Sequence, residues 1–165
     1  TEGQECAPGE VGEVLARGPQ LMQGYWQRPE ATAETIVDGW LHTGDAGIFD
    51  DDGYLYIQDR VKDMIISGGE NISSIEVENV LYRHPKILEA AVVAKEDEQW
   101  GEIPCAFVTL KEGQTLSAEE LIEYCRDNIE HFKAPKRIVF GPLPKTSTGK
   151  IQKFKLRQQA NELED

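Results

Sequence analysis

The stretch from Asp59 to Glu78 reads DRVKDMIISGGENISSIEVE, and its features decide how the rest of the chain is interpreted. Charges alternate over its first five residues, where the composition of the chain changes, and this is typical of a hinge that absorbs a backbone rotation. Asp63–Ser67 predicts a short apolar strand, and the two glycines that follow would let backbone amides approach a ligand closely. Ser73 and Glu76 have the spacing of a capping box, so a helix is predicted to begin near Ser73.

Downstream of this stretch, the pattern is that of a small mixed domain. Two β-prone runs, 87–95 and 103–110, follow the first helix, and a second capping box at Ser117 starts another helix. A short strand at 137–140 and a polar helix near 153–160, which is expected to fray, complete the order β-α-β-β-α-β-α. We therefore expect a central sheet of about three strands flanked by helices.

Upstream of the stretch, the sequence predicts short strands and one short helix. Strands are expected over 11–17 and 21–26, followed by a helix over 28–37 that opens on a proline. Residues 45–59 are predicted to form a β-hairpin, because Asp52-Gly53 supplies the turn geometry. The consecutive aspartates in this turn lack the spacing of a calcium-binding loop, so they are interpreted as a solvated turn.

Together these patterns divide the chain into two parts. A mostly β segment covers 1–60, a small α+β domain covers 61–165, and the hinge is expected at about 60–63. The predicted fold class is α+β. Because the first residue is Thr1 rather than Met, we expect the chain to be a piece of a longer protein.

Composition excludes several classes of protein. The 165 residues are 39% hydrophobic with a formal net charge of −13, which does not fit a disordered, collagen-like or coiled-coil chain. No apolar run approaches the ~20 residues of a membrane span, and no signal peptide is evident, so a soluble protein is expected. An acidic chain of this kind is also a poor general binder of nucleic acid. Three cysteines without a CxxC pair favour a reducing, cytoplasmic setting and no zinc site.

One segment departs from this acidic average. Residues 131–157 contain eight Lys or Arg side chains and no Asp or Glu. Such an excess predicts either an anionic partner, such as phosphate groups, or a basic face that pairs with the acidic remainder of the fold. Charge alone leaves both interpretations open.

The motif PKTSTGK, 144–150, lies within this basic segment. A Walker A loop would require Gly at position 144 and Ser or Thr at position 151. This chain has Pro144 and Ile151 there, so the motif is not a P-loop. What remains is a flexible, hydroxyl-rich loop with a glycine hinge that presents Lys150. A lysine on its long stem can reach a phosphoryl group that gains charge in a transition state. The alternative is an ordinary surface lysine.

A second motif, GWLHTGD at 39–45, ends in a carboxylate. Asp45 follows a glycine turn at the end of a predicted strand, where a carboxylate can accept hydrogen bonds from two neighbouring ribose hydroxyls. Thr-Gly-Asp is also a common turn sequence. His42 alone is interpreted as a packed or surface histidine.

Four ordered stretches resemble one family, the adenylate-forming enzymes, which include acyl-CoA synthetases, luciferases and peptide-synthetase adenylation domains. They are GEVLARGPQLMQGYW, DGWLHTGD, DGYLYIQDRVKDMIISGGENISSIEVE and PKTSTGK, and they span nearly the whole chain. The resemblance implies that 1–60 is the tail of the family's large N-terminal domain and that 61–165 is its small C-terminal lid. The family's phosphate loop, adenine site and acyl pocket lie upstream of the first stretch.

The resemblance also implies a role for each motif. Lys150 matches the family's catalytic lysine, Asp45 the ribose-binding aspartate, and Arg60 a second nucleotide contact. Lys62 matches the hinge about which the lid turns between two half-reactions, an exchange that also withdraws Lys150. The loop that the turned lid brings toward the thiol consists of Ser67, Gly68, Gly69 and Glu70.

The function implied is that of an ATP-dependent carboxylate–CoA ligase for a fatty or similar small organic acid. ATP, Mg²⁺ and CoA are implied, with Mg²⁺ held mainly by the N-terminal domain, which is missing here and would act in cis. The fragment alone is expected to be inactive. The sequence around Lys150 is also similar to a site of acetylation in bacterial members, which implies a lysine acetyltransferase as a partner.

Two alternatives stay open at this point. One is an adenylation domain that passes an acyl or aminoacyl group to a carrier-protein thiol. The other is a non-catalytic interaction module that has kept the lid fold.

Overall fold

The computed structural model describes residues 4–163. The chain divides into two compact units, with the division between Lys62 and Asp63. The parts of the predicted segments that fall on residues 1–3 and 164–165 lie outside the described residues. No helix within residues 4–163 is long and apolar enough to cross a membrane.

The first unit is a small antiparallel sheet with one short helix. Strand β3 pairs with each of the other three strands of this sheet. The elements are β1 (Gly12–Ala16), α1 (Pro29–Thr35), β2 (Ile36–Val37), β3 (Trp40–Phe49) and β4 (Leu55–Arg60).

The predicted hairpin is confirmed as β3 and β4. Its turn is stabilised by Asp50, whose Oδ1 accepts hydrogen bonds from the amides of Asp52 at 3.0 Å and Tyr54 at 2.8 Å. Gly53 has a φ of +82°, a conformation that favours glycine. The aspartate-rich sequence therefore forms a turn that is stabilised by its own side-chain to backbone hydrogen bonds.

The predicted strand over 21–26 is wrong, because this segment forms turns and bends. The amide of Tyr25 donates to Thr32 Oγ1 at 2.9 Å, and its carbonyl accepts the amide of Arg28 at 3.1 Å. Backbone groups that a strand would use for pairing are thus bonded locally around the start of α1.

A 3-10 turn, Val61–Asp63, spans the division, and the second unit, described as far as Leu163, is a five-stranded sheet with three helices. The central strand is β8, which pairs antiparallel with β7 and β5 and parallel with β9. The elements are β5 (Ile65–Ser67), β6 (Glu70–Ile72), α2 (Ser74–Arg83), β7 (Ile87–Asp97), β8 (Gly101–Leu110), α3 (Ala118–Asn128), β9 (Arg137–Phe140) and α4 (Lys153–Glu162).

The α+β class is confirmed, and one strand, β6, adds to the predicted order of elements. Gly68 and Gly69 were interpreted as a junction between a strand and a helix, but they are the turn of a hairpin formed by β5 and β6. Their φ angles are +60° and +89°, as a tight hairpin turn with two left-handed residues requires. The predicted strand at 63–67 corresponds to β5, whereas β6 was not predicted, and the sheet has five strands rather than about three. A strand as short as β6 carries too little alternation to be recognised from sequence alone.

Both faces of this sheet are covered, because neighbouring residues of β7 alternate between two apolar clusters. Ala90 and Val92 belong to the α2/α3 cluster, whereas Ala91 and Val93 belong to the α4 cluster. The α2/α3 cluster also contains Ile65, Ile72, Val77, Val80, Leu81, Ile87, Ala106, Val108, Leu121, Cys125 and Ala134. The α4 cluster also contains Cys105, Phe107, Leu143, Leu156 and Ala160.

Helix α4, which was expected to fray, is anchored by two fully buried side chains, Leu156 and Ala160. We expect Leu156→Ala to lower the free energy of unfolding by about 2–5 kcal/mol, because it removes buried methyl groups and leaves a cavity. Urea unfolding followed through the amide NMR signals of β7 measures this loss. Gln158→Ala, at an exposed position of the same helix, is the control and should stay within about 0.5 kcal/mol. Equal losses in the two variants would mean that α4 is not docked through Leu156.

Candidate functional site

The loop that carries Lys150 is a closed hairpin. Lys145 and Ile151 form an antiparallel bridge, and the amide of Thr146 donates to the carbonyl of Lys150 at 2.8 Å. The Lys150 amide in turn donates to Thr146 Oγ1 at 3.1 Å. Gly149 completes the turn with a φ of +86°. The loop was interpreted as flexible, but its hydroxyls and backbone groups fix its shape.

Lys150 is the exposed, unpaired cation of this hairpin. Its ammonium makes no hydrogen bond or ion pair within the described part of the chain, and its side chain is exposed. Lys145 differs, because its Nζ lies 2.5 Å from Glu89 Oε1 on β7. Lys145 therefore links the hairpin to the sheet through an ion pair, whereas Lys150 projects from the hairpin into solvent.

Asp45 and Arg60 are brought together in the first unit. They pair across β3 and β4, with Arg60 Nε 3.1 Å from Asp45 Oδ1. Their side chains are 36% and 53% exposed, so solvent and small molecules can reach both. Thr43 fixes the backbone here, since its Oγ1 accepts the Asp45 amide at 3.1 Å and donates to the Val14 carbonyl at 2.7 Å.

Glu13 is part of this arrangement, and sequence reasoning missed it. Its Oε1 accepts the amide of Gly44 at 3.0 Å, and its Oε2 lies 2.8 Å from His42 Nδ1. Glu13 therefore holds the backbone next to Asp45 from the neighbouring strand β1. The pairing of β1 with β3 would have revealed it, but two strands so distant in sequence give no local signal of their register.

The four residues from Ser67 to Glu70 form the tip of the β5/β6 hairpin. The amide of Gly68 donates to the carbonyl of Trp100 at 2.8 Å. A Cβ atom at Gly68 would lie 2.8 Å from Trp100 Cε3, so the indole packs against the bare backbone. The glycine thus permits a close approach that no larger residue would allow. Trp100 also escaped sequence reasoning.

Lys62, the predicted hinge residue, is exposed and lies within the 3-10 turn at the division between the two units. Asp45 and Arg60 belong to the first unit. Lys150 and the Ser67–Glu70 turn belong to the second.

At least four of the eight cations of the basic segment pair with acidic residues of the second unit. The pairs are Lys133 with Glu76 at 2.9 Å, Lys145 with Glu89 at 2.5 Å, Lys153 with Glu78 at 2.7 Å, and Arg157 with Asp63. Burial lowers the pKa of Lys133, but hydrogen bonds and charges from Glu76 and Glu130 outweigh it and leave the pKa raised. For these four cations, the basic excess reflects internal pairing.

The two buried cysteines, Cys105 and Cys125, are held in the thiol form at neutral pH. All three cysteines are free. Burial raises the pKa of both Cys105 and Cys125 to about 11, so neither is a thiolate nucleophile. Within residues 4–163, no cluster of three His, Cys, Asp or Glu side chains could hold a metal ion.

Comparison with known proteins identifies the second unit. Residues 76–150 match the family model described as the AMP-binding enzyme C-terminal domain. The chain belongs to the adenylate-forming enzymes. It is 53% identical over 158 residues to an acetate–CoA ligase, CCL3, of Humulus lupulus, covering 93% of this chain and 28% of that protein. It is 54% identical over 158 residues to a peroxisomal acetate/butyrate–CoA ligase, AAE7, of Arabidopsis thaliana, with 93% and 28% covered.

A solved adenylate-forming enzyme has the same fold. The o-succinylbenzoate CoA synthetase of Bacillus subtilis, solved with an acyl-adenylate intermediate, matches with a TM-score of 0.85 and 40% identity over 100% of this chain and 33% of that one. The α+β unit is thus the C-terminal lid domain of this family. The chain spans about a third or less of the length of the relatives it matches.

Proposed function

We propose that this chain is the C-terminal part of an ATP-dependent carboxylate–CoA ligase. Residues 1–60 would be the tail of the large domain and 61–165 the lid, with the hinge at about 60–63. Relatives at 53% and 54% identity that are named as CoA ligases support the assignment. The single observation that carries it is the ammonium of Lys150, which makes no hydrogen bond or ion pair with the described residues and projects from a hydrogen-bonded hairpin.

In the first half-reaction, a carboxylate oxygen attacks the α-phosphorus of ATP and pyrophosphate leaves as the α–β bond breaks. Negative charge builds up on the phosphoryl oxygens in the transition state. Lys150 stabilises that charge when the lid brings its ammonium to the phosphate. Because the contact forms with the closing lid, it lowers the barrier more than it tightens substrate binding.

Asp45 and Arg60 bind the nucleotide. The carboxylate of Asp45 accepts hydrogen bonds from ribose hydroxyls, and the guanidinium of Arg60, already 3.1 Å from it, supplies a second contact. Glu13 and Thr43 support this arrangement through the backbone of Gly44 and Asp45.

In the second half-reaction, the lid turns about Lys62. The Ser67–Glu70 turn then faces the thiol of CoA, and Lys150 moves away from the phosphate. The thiol loses its proton, its sulfur attacks the acyl carbon, and AMP leaves. The division of the chain at Lys62 and the glycine turn packed beneath Trp100 support this role for the two segments.

Mg²⁺ would be held mainly by the large N-terminal domain, since residues 4–163 contain no cluster of three His, Cys, Asp or Glu side chains that could hold a metal ion. Acetylation of Lys150 would remove its charge and suppress the first half-reaction. The exposed position of Lys150 supports access by an acetyltransferase.

A cytoplasmic location stays a prediction, since one of the relatives is named as peroxisomal.

A panel of carboxylic acids tests the class of reaction. We expect the full-length protein, given ATP and CoA, to form AMP and an acyl-CoA in equal amounts with at least one short acid. Acetate and butyrate come first, because relatives carry those names. An acyl group delivered to a carrier-protein thiol but not to CoA would contradict the proposal, as would AMP formation with no thioester at all.

A further inference from the structure

We propose that Asp63 and Arg157 are positioning residues that couple the hinge to the loop of Lys150. This inference rests on the proposed function, because it concerns how the lid delivers Lys150. It assigns a role to an ion pair between Asp63, at the end of the predicted hinge, and Arg157, which lies outside the four family stretches.

The ion pair joins the first residue of the second unit to its last described helix. Asp63 is the first residue of the second unit, directly after Lys62, and its carboxylate pairs with the guanidinium of Arg157 in α4. The two side chains are only 12% and 28% exposed. A partly buried pair with a planar guanidinium fixes orientation better than an exposed lysine pair does.

A second ion pair holds the same helix one turn earlier. Lys153 Nζ lies 2.7 Å from Glu78 Oε1 and donates to Ser74 Oγ at 2.7 Å. Glu78 Oε1 also accepts the amide of Val92 at 2.8 Å, which connects the pair to β7. Lys153 and Arg157 are four residues apart and therefore project from the same side of α4.

Helix α4 in turn holds the hairpin that carries Lys150, which is closed by the bridge between Lys145 and Ile151. Only Ile151 and Gln152 separate Lys150 from the first residue of α4, and the amide of Gln152 donates to the carbonyl of Pro144 at 2.8 Å. A short path thus runs from Lys62 through the Asp63–Arg157 pair and along α4 to Lys150. When the backbone rotates at Lys62, the ion pair and α4 therefore transmit the rotation to the hairpin that carries Lys150.

The Ser67–Glu70 turn does not depend on this path. It lies at the tip of the β5/β6 hairpin, whose strand β5 pairs with β8. Loss of the Asp63–Arg157 pair should therefore misplace Lys150 without disturbing the turn that serves the thiol. The rate of adenylation should therefore fall while the rate of thioester formation stays unchanged.

Arg157→Gln in the full-length ligase tests the coupling. We expect it to slow adenylation by about 10- to 100-fold, since misplacing a reacting group by about 1 Å has costs of this order. Thioester formation from supplied acyl-adenylate should change by less than about twofold. The control is Arg126→Gln, which removes the same charge from an exposed position of α3 and should leave both rates unchanged.

Charge reversal keeps the test decisive if the single variant is unstable. Asp63→Arg combined with Arg157→Asp restores the pair in the opposite sense and should recover most of the adenylation rate. Equal loss of both half-reactions in Arg157→Gln would show a merely structural pair and overturn the inference. No recovery in the double variant, or rates equal to those of Arg126→Gln, would also overturn it.

Lys150→Ala measured alongside separates this inference from the proposed function. If Lys150→Ala leaves adenylation unchanged, the proposed function fails. If Lys150→Ala suppresses adenylation and Arg157→Gln does not, only the coupling fails.

Discussion

Replacing Lys150 with alanine in the full-length ligase is expected to slow adenylation by about 10²–10³-fold, the usual loss when one charge contact to a transition state is removed. This corresponds to about 3–4 kcal/mol of activation free energy. The loss should appear in kcat more than in KM for ATP, because the contact strengthens as charge develops on the phosphoryl group. Pyrophosphate exchange into ATP in the presence of the acid measures it.

Lys136→Ala is the matched control for this step. Lys136 is also an exposed lysine of the basic segment, and its ammonium makes no contact with the described residues. Adenylation by this variant should equal that of the unchanged enzyme. A similar loss in both variants would point to the general positive charge of the segment, and the specific role of Lys150 would be wrong.

The isolated 165-residue chain is expected to release no pyrophosphate from ATP with any carboxylic acid. By resemblance, the phosphate loop, the adenine site and the acyl pocket of the family all lie outside it. The described residues also lack a cluster that could hold a metal ion. The measurement is pyrophosphate release by the purified chain, with the full-length ligase as the positive control.

A positive result with the isolated chain would contradict the assignment of the adenylation site. Release that depended on the acid and disappeared in Lys150→Ala would place the whole of this chemistry within these residues. The functional division between the lid and the rest of the enzyme would then be wrong.

The parts of the fold that depend on local chemistry were predictable from sequence. The cap of α2 is confirmed by the Glu76 amide, which donates to Ser73 Oγ at 3.3 Å. The capping box of α3 is confirmed in both directions, between Ser117 and Glu120. Strands β7 and β8 were also predicted, because each is long and rich in β-branched residues or other apolar side chains. In each case the deciding atoms lie within a few residues of one another.

Features that depend on distant partners were not predictable in the same way. The contact of Glu13 with Gly44 spans 31 residues, and the pairing of Arg157 with Asp63 spans 94. The interpretation of 153–160 as a fraying helix failed for the same reason, since Leu156 is buried by residues of β7 and β8. Helix propensity carries no information about such packing.

The residues of the candidate site differ in the same way in whether the sequence could predict them. Lys150, Asp45 and Arg60 came from motifs, whereas the residues that hold them in place came from the structure. Glu89, for example, lies in no motif of the sequence, yet its carboxylate pairs with Lys145 at the base of the hairpin that carries Lys150. A motif identifies the groups proposed to do chemistry, and the tertiary contacts explain how they are oriented.

The ratio of the two half-reaction rates in Lys150→Ala, measured in single turnovers of the full-length ligase, tests the central claim most directly. One sample receives acid and ATP, and the other receives preformed acyl-adenylate and CoA. A ratio of adenylation to thioester formation that falls by about 10²–10³-fold is the result we predict. A ratio that stays at its original value, with both rates reduced together or both unaffected, would contradict the claim that this ammonium serves the phosphate in one orientation of the lid and withdraws in the other.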